Sequence, residues 1–288
     1  MEQVIANGLY LGIQYALIAL GLTLIFSLMN VLNFAHGQMY ALGGFITYEV
    51  YGQLKLPFAA ALVASAVTVA VVGALIERLL FRTVIRRSAR EESTMLLAAG
   101  VAFFLEAVML LLFGEKQRGV PKIIPGIFLS DDLVMPYDRM TIALLAGVAI
   151  LAFILLMKHT KAGRAMRALA QDRMAAQLMG VPVEFYSLVG FALGSALAGL
   201  AGGLLVVITG VNSGIGGPIS TKAFLMIMIV GAGVISGAIM GGFILGMLEA
   251  VGLSVLSDYG DFTYLIIFSA LMVFLAVRPN GLMGKPWG

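Results

Sequence analysis

Residues 3–48 read QVIANGLYLGIQYALIALGLTLIFSLMNVLNFAHGQMYALGGFITY, with no Asp, Glu, Lys or Arg between Glu2 and Glu49. A helix rises about 1.5 Å per residue, so a hydrocarbon core about 30 Å thick is spanned by roughly 20 residues. The run is long enough for two crossings, and its polar patch from Asn30 to Gln38 marks a kink between them. This stretch decides the class: a helical chain embedded in lipid.

Further uncharged runs follow at 56–76, 93–105 (continuing past Glu106 to Gly114), 140–157, 185–221, 223–248 and 262–277. The run 185–221 predicts one crossing plus a Gly/Ser-rich re-entry, Gly210-Val-Asn-Ser-Gly-Ile-Gly-Gly-Pro218. From 222 to 256 the pattern predicts two shorter helices with a turn near Ser236-Gly237. The expected architecture is an all-α, polytopic bundle of about nine transmembrane helices, within a range of eight to ten. Residues 1–288 are expected to form a single transmembrane domain.

Composition agrees. Of the 288 residues, 61% are hydrophobic and only 11% are charged, whereas a soluble domain devotes about a quarter to charge. So few charges cannot cover a water-facing surface, and so apolar a chain is not a disordered one. The net charge is +3, without a Lys/Arg-rich run, so nothing points to nucleic acid. The absence of cysteine excludes a disulfide framework, a thiolate nucleophile and Cys-ligated metal. No Lys or Arg precedes the first apolar run, so that run is expected to belong to the mature fold and not to a signal peptide.

Orientation follows from the basic residues, which concentrate on the cytoplasmic side of membrane proteins. Twelve of the eighteen lie in 77–92, in 158–184 and in the tail at Arg278 and Lys285. Those segments are expected inside, with the C-terminus, and an odd number of crossings then places the N-terminus outside. The connection 114–139, with three prolines, is expected to be a structured extracytoplasmic loop.

Motifs for chemistry are missing. No phosphate loop occurs, since GIGGPISTK (214–222) lacks its Gly-Lys-Ser/Thr ending. GAGVISG (231–237) follows no strand and has the wrong spacing for a dinucleotide fingerprint. His36 and His159 stand in no metal-ligand spacing. Catalysis, a cofactor and a metal are therefore not expected in this chain.

Four patterns are informative. Asn30, Asn33 and His36 recur at i+3, with Gln38 following. Polar groups at membrane depth either hydrogen-bond neighbouring helices or line an aqueous path, and Asn212 in the Gly-rich re-entry shares that choice. Small residues four apart (Gly190/Gly194, Gly199/Gly203, Gly233/Gly237, Gly237/Gly241, Gly242/Gly246) suit close helix packing or a subunit seam. MYALGGFI (39–46) and AIMGGFIL (238–245) hint at an internal repeat. Finally, 163–182 reads as one helix stopped by Gly180 and Pro182, with a stripe of Met166, Ala170, Met174 and Leu178. Such a helix lies on the membrane or docks into another protein's cleft.

Four blocks occur together in order: LNFAHGQMYALGGF (32–45), GRAMRALAQDRMAAQLMGV (163–181), KAFLMIMIVGAGVISGAIMGGFILGMLE (222–249) and RPNGLMG (278–284). In these blocks the chain resembles the membrane permease of branched-chain amino-acid ABC importers over nearly its whole length. Permeases of that kind carry a cytoplasmic Glu-Ala-Ala-x-x-x-Gly loop that docks on the ATPase. Met174, Ala175, Ala176 and Gly180 stand at its positions, the glutamate being replaced. The resemblance implies that the segment 158–184 couples to the ATPase through Gly163, Arg164, Arg167, Ala168, Asp172, Ala175, Ala176 and Gly180. The expected translocation path is bordered by Asn30, Asn33, His36, Gln38 and Asn212. The implied partners are a second homologous permease chain, two ATPase subunits that bind the ATP and Mg, and a periplasmic or extracellular solute-binding protein. The implied location is a bacterial plasma (inner) membrane. Its solutes would be branched-chain or other amino acids, urea, short amides or aromatic acids. The rival reading is an ion-coupled secondary transporter using Glu106 or Glu249, the two carboxylates within expected spans.

Overall fold

The computed structural model describes residues 1–87, 91–130, 133–231, 233–256, 262–278 and 280–283. Helix α1 (Glu2–Met29) ends at Asn30, whose left-handed backbone (φ 53°, ψ 38°) turns its N–H back to the carbonyl of Phe26. Asn adopts this conformation more readily than most residues, which stops the helix inside an uncharged run. After an irregular stretch come α2 (His36–Thr47) and a π-helical continuation, Tyr48–Gln53. Helix α3 (Phe58–Ile76) passes through a second π-helical stretch, Glu77–Phe81, into α4 (Arg82–Arg87). Helix α5 (Glu91–Phe113) leads to an antiparallel hairpin of β1 (Ile127–Ser130) and β2 (Leu133–Pro136). Then come α6 (Tyr137–His159), α7 (Lys161–Gln171), α8 (Arg173–Leu178) and α9 (Val183–Thr209). A single 3-10 turn, Ser213–Ile215, precedes α10 (Gly216–Val230), α11 (Ile235–Val255) and α12 (Phe262–Val277).

The bundle is helical as expected, with the hairpin in the 114–139 loop as the correction to an all-α reading. Among the described residues, seven helices are long and apolar enough to cross a membrane, and the apolar part of α12, Tyr264–Val277, is shorter. The expected count of nine treated the second half of 3–48 as a full crossing. There α2 and its π-helical continuation run from His36 to Gln53, but His36, Gln38, Glu49 and Gln53 make this stretch too polar to count among the seven. The turn expected near Ser236-Gly237 lies earlier, between Val230 and Ile235. Ser236 and Gly237 sit in the first turn of α11.

Helix α1 is the central element: 83% of its apolar window is buried, against 22% for α5. The reason is backbone proximity. A Cβ on Gly242 would lie 2.3 Å from the Ala16 nitrogen, and one on Gly246 2.4 Å from the Gly12 nitrogen, so α11 runs antiparallel against α1 with no side chain between. On the other flank Gly21 and Gly194 meet reciprocally, each with its would-be Cβ 2.6 Å from the other's carbonyl oxygen. Gly199 and Gly203 of α9 press in the same way on α3 and on Thr47. The small-residue rows are therefore filled by this chain's own helices, and they do not mark a subunit seam. MYALGGFI and AIMGGFIL fall on α2 and α11, where their glycines meet unrelated neighbours: Gly43 packs on Gly199, and Gly242 on Ala16.

Side-chain contacts define two ends of the bundle. At one end, Gln3 accepts from the Val134 N–H at 2.8 Å, Arg139 donates to Asn7, Tyr51 donates to the Lys122 carbonyl, and Gln117 donates to the Thr209 carbonyl. This end gathers the N-terminus of α1 and the 114–136 loop. The opposite end gathers Asn30, α4, α7, α8, the α10–α11 turn and Met283, which donates its N–H to Val230.

Candidate functional site

The connection between α6 and α9 is built by local capping. Thr160 Oγ1 accepts from the Gly163 N–H at 2.9 Å, starting α7 directly after α6. Gly163 is required there, since a Cβ would lie 2.3 Å from the Met157 carbonyl oxygen. Arg167 donates to that same carbonyl, while Met166 and Leu169 turn into the core. Asp172 then takes extended backbone (φ −155°, ψ 110°), and its Oδ1 accepts from the Ala175 N–H at 2.9 Å. One residue thus ends α7 and caps α8, so the single helix expected over 163–182 is two helices broken at Asp172. An Asp whose side chain takes a backbone N–H three residues on competes with helix continuation, which accounts for the break.

The break also divides the expected apolar stripe. Met166 is buried, but Met174, Leu178 and Met179 are 75%, 83% and 85% exposed. Only Ala176 anchors α8, and Gly180 closes it in the left-handed region at φ 83°. Of the expected coupling residues, Arg164, Asp172, Ala175 and Gly180 are exposed, whereas Gly163, Ala176 and, in part, Ala168 face the protein. Arg164 donates to the His159 carbonyl at 3.4 Å. The short, capped α8 thus turns Met174 and Leu178 outward, with Met179 beside them at its C-terminal end. Nearby, Arg82 donates to the buried Glu77 carboxylate at 2.8 Å and to the Glu184 carbonyl at 3.1 Å, and Arg86 pairs with the Glu184 carboxylate. These contacts fasten α4 to the start of α9 at the same end.

The polar residues after α1 are brought together only in part. Asn33 and His36 are wholly buried: Asn33 Oδ1 accepts from the Ala35 N–H at 3.1 Å, and His36 Nε2 lies 3.1 Å from the Ile18 carbonyl. Gln38 is also buried, and its Nε2 donates to Glu106 Oε2 at 3.0 Å, joining α2 to α5. The 3-10 turn after Asn212 packs against both of those helices. Ser220 of α10 donates to the Phe34 carbonyl at 3.0 Å and accepts from the Gly37 N–H at 2.9 Å, which locks the start of α2 to α10. Asn212 is partly exposed, whereas Asn30 is exposed at the other end, on an open groove of 1440 Å³. Sequence reading placed Glu106 in a rival mechanism and missed its pairing with Gln38, because residues 68 positions apart carry no local signal of contact. Glu249 is likewise partnered: Tyr15 and Lys222 both donate to its carboxylate. Among the described residues no group of His, Asp and Glu could hold a metal ion.

The profile of the family described as "Branched-chain amino acid transport system / permease component" matches residues 4–276. The permease protein BraD of a high-affinity branched-chain amino acid transport system in Pseudomonas aeruginosa is 32% identical, over 99% of this chain and 96% of its own length. The corresponding permease protein LivH of Escherichia coli is also 32% identical, over 97% of this chain and 94% of LivH. A second permease protein of the Escherichia coli system, LivM, is 26% identical over 54% of this chain and 35% of its own length. A profile match from one end of the bundle to the other, with two relatives aligned over nearly their whole lengths, places this chain in the branched-chain amino acid transport permease family.

Proposed function

We propose that this chain is the permease subunit of an ATP-driven importer for branched-chain amino acids, with ATP and Mg bound by two separate ATPase subunits. The observation that carries this reading is the pair α7 and α8, joined at Asp172, whose exposed Met174, Leu178 and Met179 form a docking knob in a chain of the permease family. Described basic residues (Arg78, Arg82, Arg86, Arg87, Lys158, Lys161, Arg164, Arg167, Arg173) collect at the end of the bundle that bears this knob. Their concentration supports a cytoplasmic face there, with the C-terminus inside and the protein in a bacterial inner membrane. The short helices α2 and α12, added to the seven long ones, support nine passages with the N-terminus outside.

A second, homologous permease is the proposed partner across the membrane, supported by the likeness to two different permease proteins of one transport system. A solute-binding protein would deliver solute to the end that carries the 114–136 loop. Gln38 and Asn212 would border the path together with Glu106, with Asn33 and His36 as the polar layer behind them and Asn30 at its other mouth. The test is uptake of labelled leucine into proteoliposomes containing the whole complex. Uptake that requires ATP inside and survives a protonophore supports the reading. Uptake driven by a proton or sodium gradient without ATP overturns it.

A further inference from the structure

Lys222 is the one lysine inside a membrane-length helix away from its ends among the described residues. It projects from α10 to a carboxylate on α11 and a phenol on α1. Its Nζ donates to Glu249 and, at 2.7 Å, to Tyr15 Oη, while Tyr15 in turn donates to Glu249. The Glu249 side chain is 4% exposed and that of Lys222 19%. Replacing such a buried pair by packed apolar side chains is often neutral or stabilising, so stability alone does not account for it. Charges at membrane depth are costly and mark solute or ion pathways.

The second observation is a cavity. A pocket of 390 Å³ opens on the exposed side of Lys222, lined by Pro218, Thr221, Tyr264 and Phe268. Pockets for small molecules begin at about 300 Å³ and combine apolar walls with a few convergent polar groups. Here the walls are Pro218 and Phe268, and the Tyr264 ring lies 5.3 Å from the ammonium. An ammonium has three N–H donors, and the two described acceptors of Lys222 occupy two of them.

We propose that this pocket is a solute-binding site in the permease itself, where Lys222 receives the carboxylate of an apolar amino acid and Glu249 or the Tyr264 ring receives its ammonium. The proposal rests on the importer reading above. A zwitterion suits the site because the resident pair is itself neutral. The solute's carboxylate replaces Glu249 at Lys222 and its ammonium replaces Lys222 at Glu249, so no net charge is moved into the membrane. A carboxylate without an amine, or an amine without a carboxylate, would leave one resident charge unpaired. The apolar side chain of the solute would lie against Phe268.

The chain has no cysteine, so Thr221→Cys places a single thiol at the pocket with Lys222 intact. In the assembled complex, leucine at about ten times its dissociation constant should slow labelling of that thiol by a small water-soluble reagent about tenfold, as the occupied fraction of the site requires. Isoamylamine and isocaproate, which each lack one charge, should not protect. Adding Lys222→Met should abolish protection, and the neutral double exchange Lys222→Met with Glu249→Leu should not restore leucine uptake. A complex that takes up leucine with ATP but shows no protection overturns this site and leaves the importer reading standing. Recovery of uptake by the neutral double exchange also overturns it, by showing that the pair only holds α10 to α11. A complex with neither uptake nor protection overturns both.

Discussion

Asp172→Ala isolates what the break between α7 and α8 contributes. The side chain does one thing in the structure, accepting from the Ala175 N–H at 2.9 Å. Removing such a cap costs roughly 1 kcal/mol. Helix α8 has six residues and a single buried one, Ala176, so packing has little with which to compensate. If the knob docks only when α8 is helical, a loss of ~1 kcal/mol weakens ATPase binding by roughly fivefold, since 1.4 kcal/mol is tenfold. Titration of the purified ATPase subunit against the full-length permease in nanodiscs would measure it. Asp172→Asn should retain nearly all of the affinity, because Asn caps as well as Asp. Equal affinity for wild type and Asp172→Ala would refute the docking role of α8. An Asn variant as weak as the Ala variant would show that the negative charge, and not the cap, matters.

Gly242→Val should lower the melting temperature of the detergent-solubilised chain and its yield, because the new side chain meets the Ala16 backbone; overpacking costs about 1–3 kcal/mol and more where backbone cannot yield. Met174→Asp together with Leu178→Asp should leave melting unchanged, since both side chains are exposed, while abolishing co-purification of the ATPase. A retained complex would relocate the docking surface. Glu77→Gln should destabilise the α4–α9 junction by removing a buried partner of Arg82, and Glu77→Gln with Arg82→Met should recover part of the loss, read as a double-mutant cycle of melting temperatures. Single cysteines at Asn30 and Asn212 should react with water-soluble thiol reagents without nucleotide, whereas cysteines at Asn33 and His36 should not. Labelling of the latter two would place them on the water-filled path.

Much of this protein was legible along the chain, and the limit has a physical cause. Lipid imposes a local rule: backbone groups must be satisfied within a helix of membrane length, so uncharged runs announce the spans, and the Gly-rich segment at 210–218 announces the break between α9 and α10. The four blocks that carry the family likeness are equally local, and the family they indicate is the one whose profile matches residues 4–276. Tertiary structure decided what depends on where helices meet. The glycine rows of α9 and α11 are legible as close-packing surfaces, yet only three-dimensional packing shows that α1 and α3 of the same chain occupy them. The helical propensity of 163–182 is continuous, yet Asp172 redirects the chain by accepting from the Ala175 N–H, and Met174 and Leu178 turn outward beyond the break. Glu106 and Glu249 read as isolated intramembrane acids until α2 brings Gln38, α1 brings Tyr15 and α10 brings Lys222. Sequence determines which segments enter the membrane because that choice is made residue by residue against lipid. It leaves the pairing of polar groups to the fold, because a hydrogen bond between distant helices depends on packing geometry that no local pattern encodes.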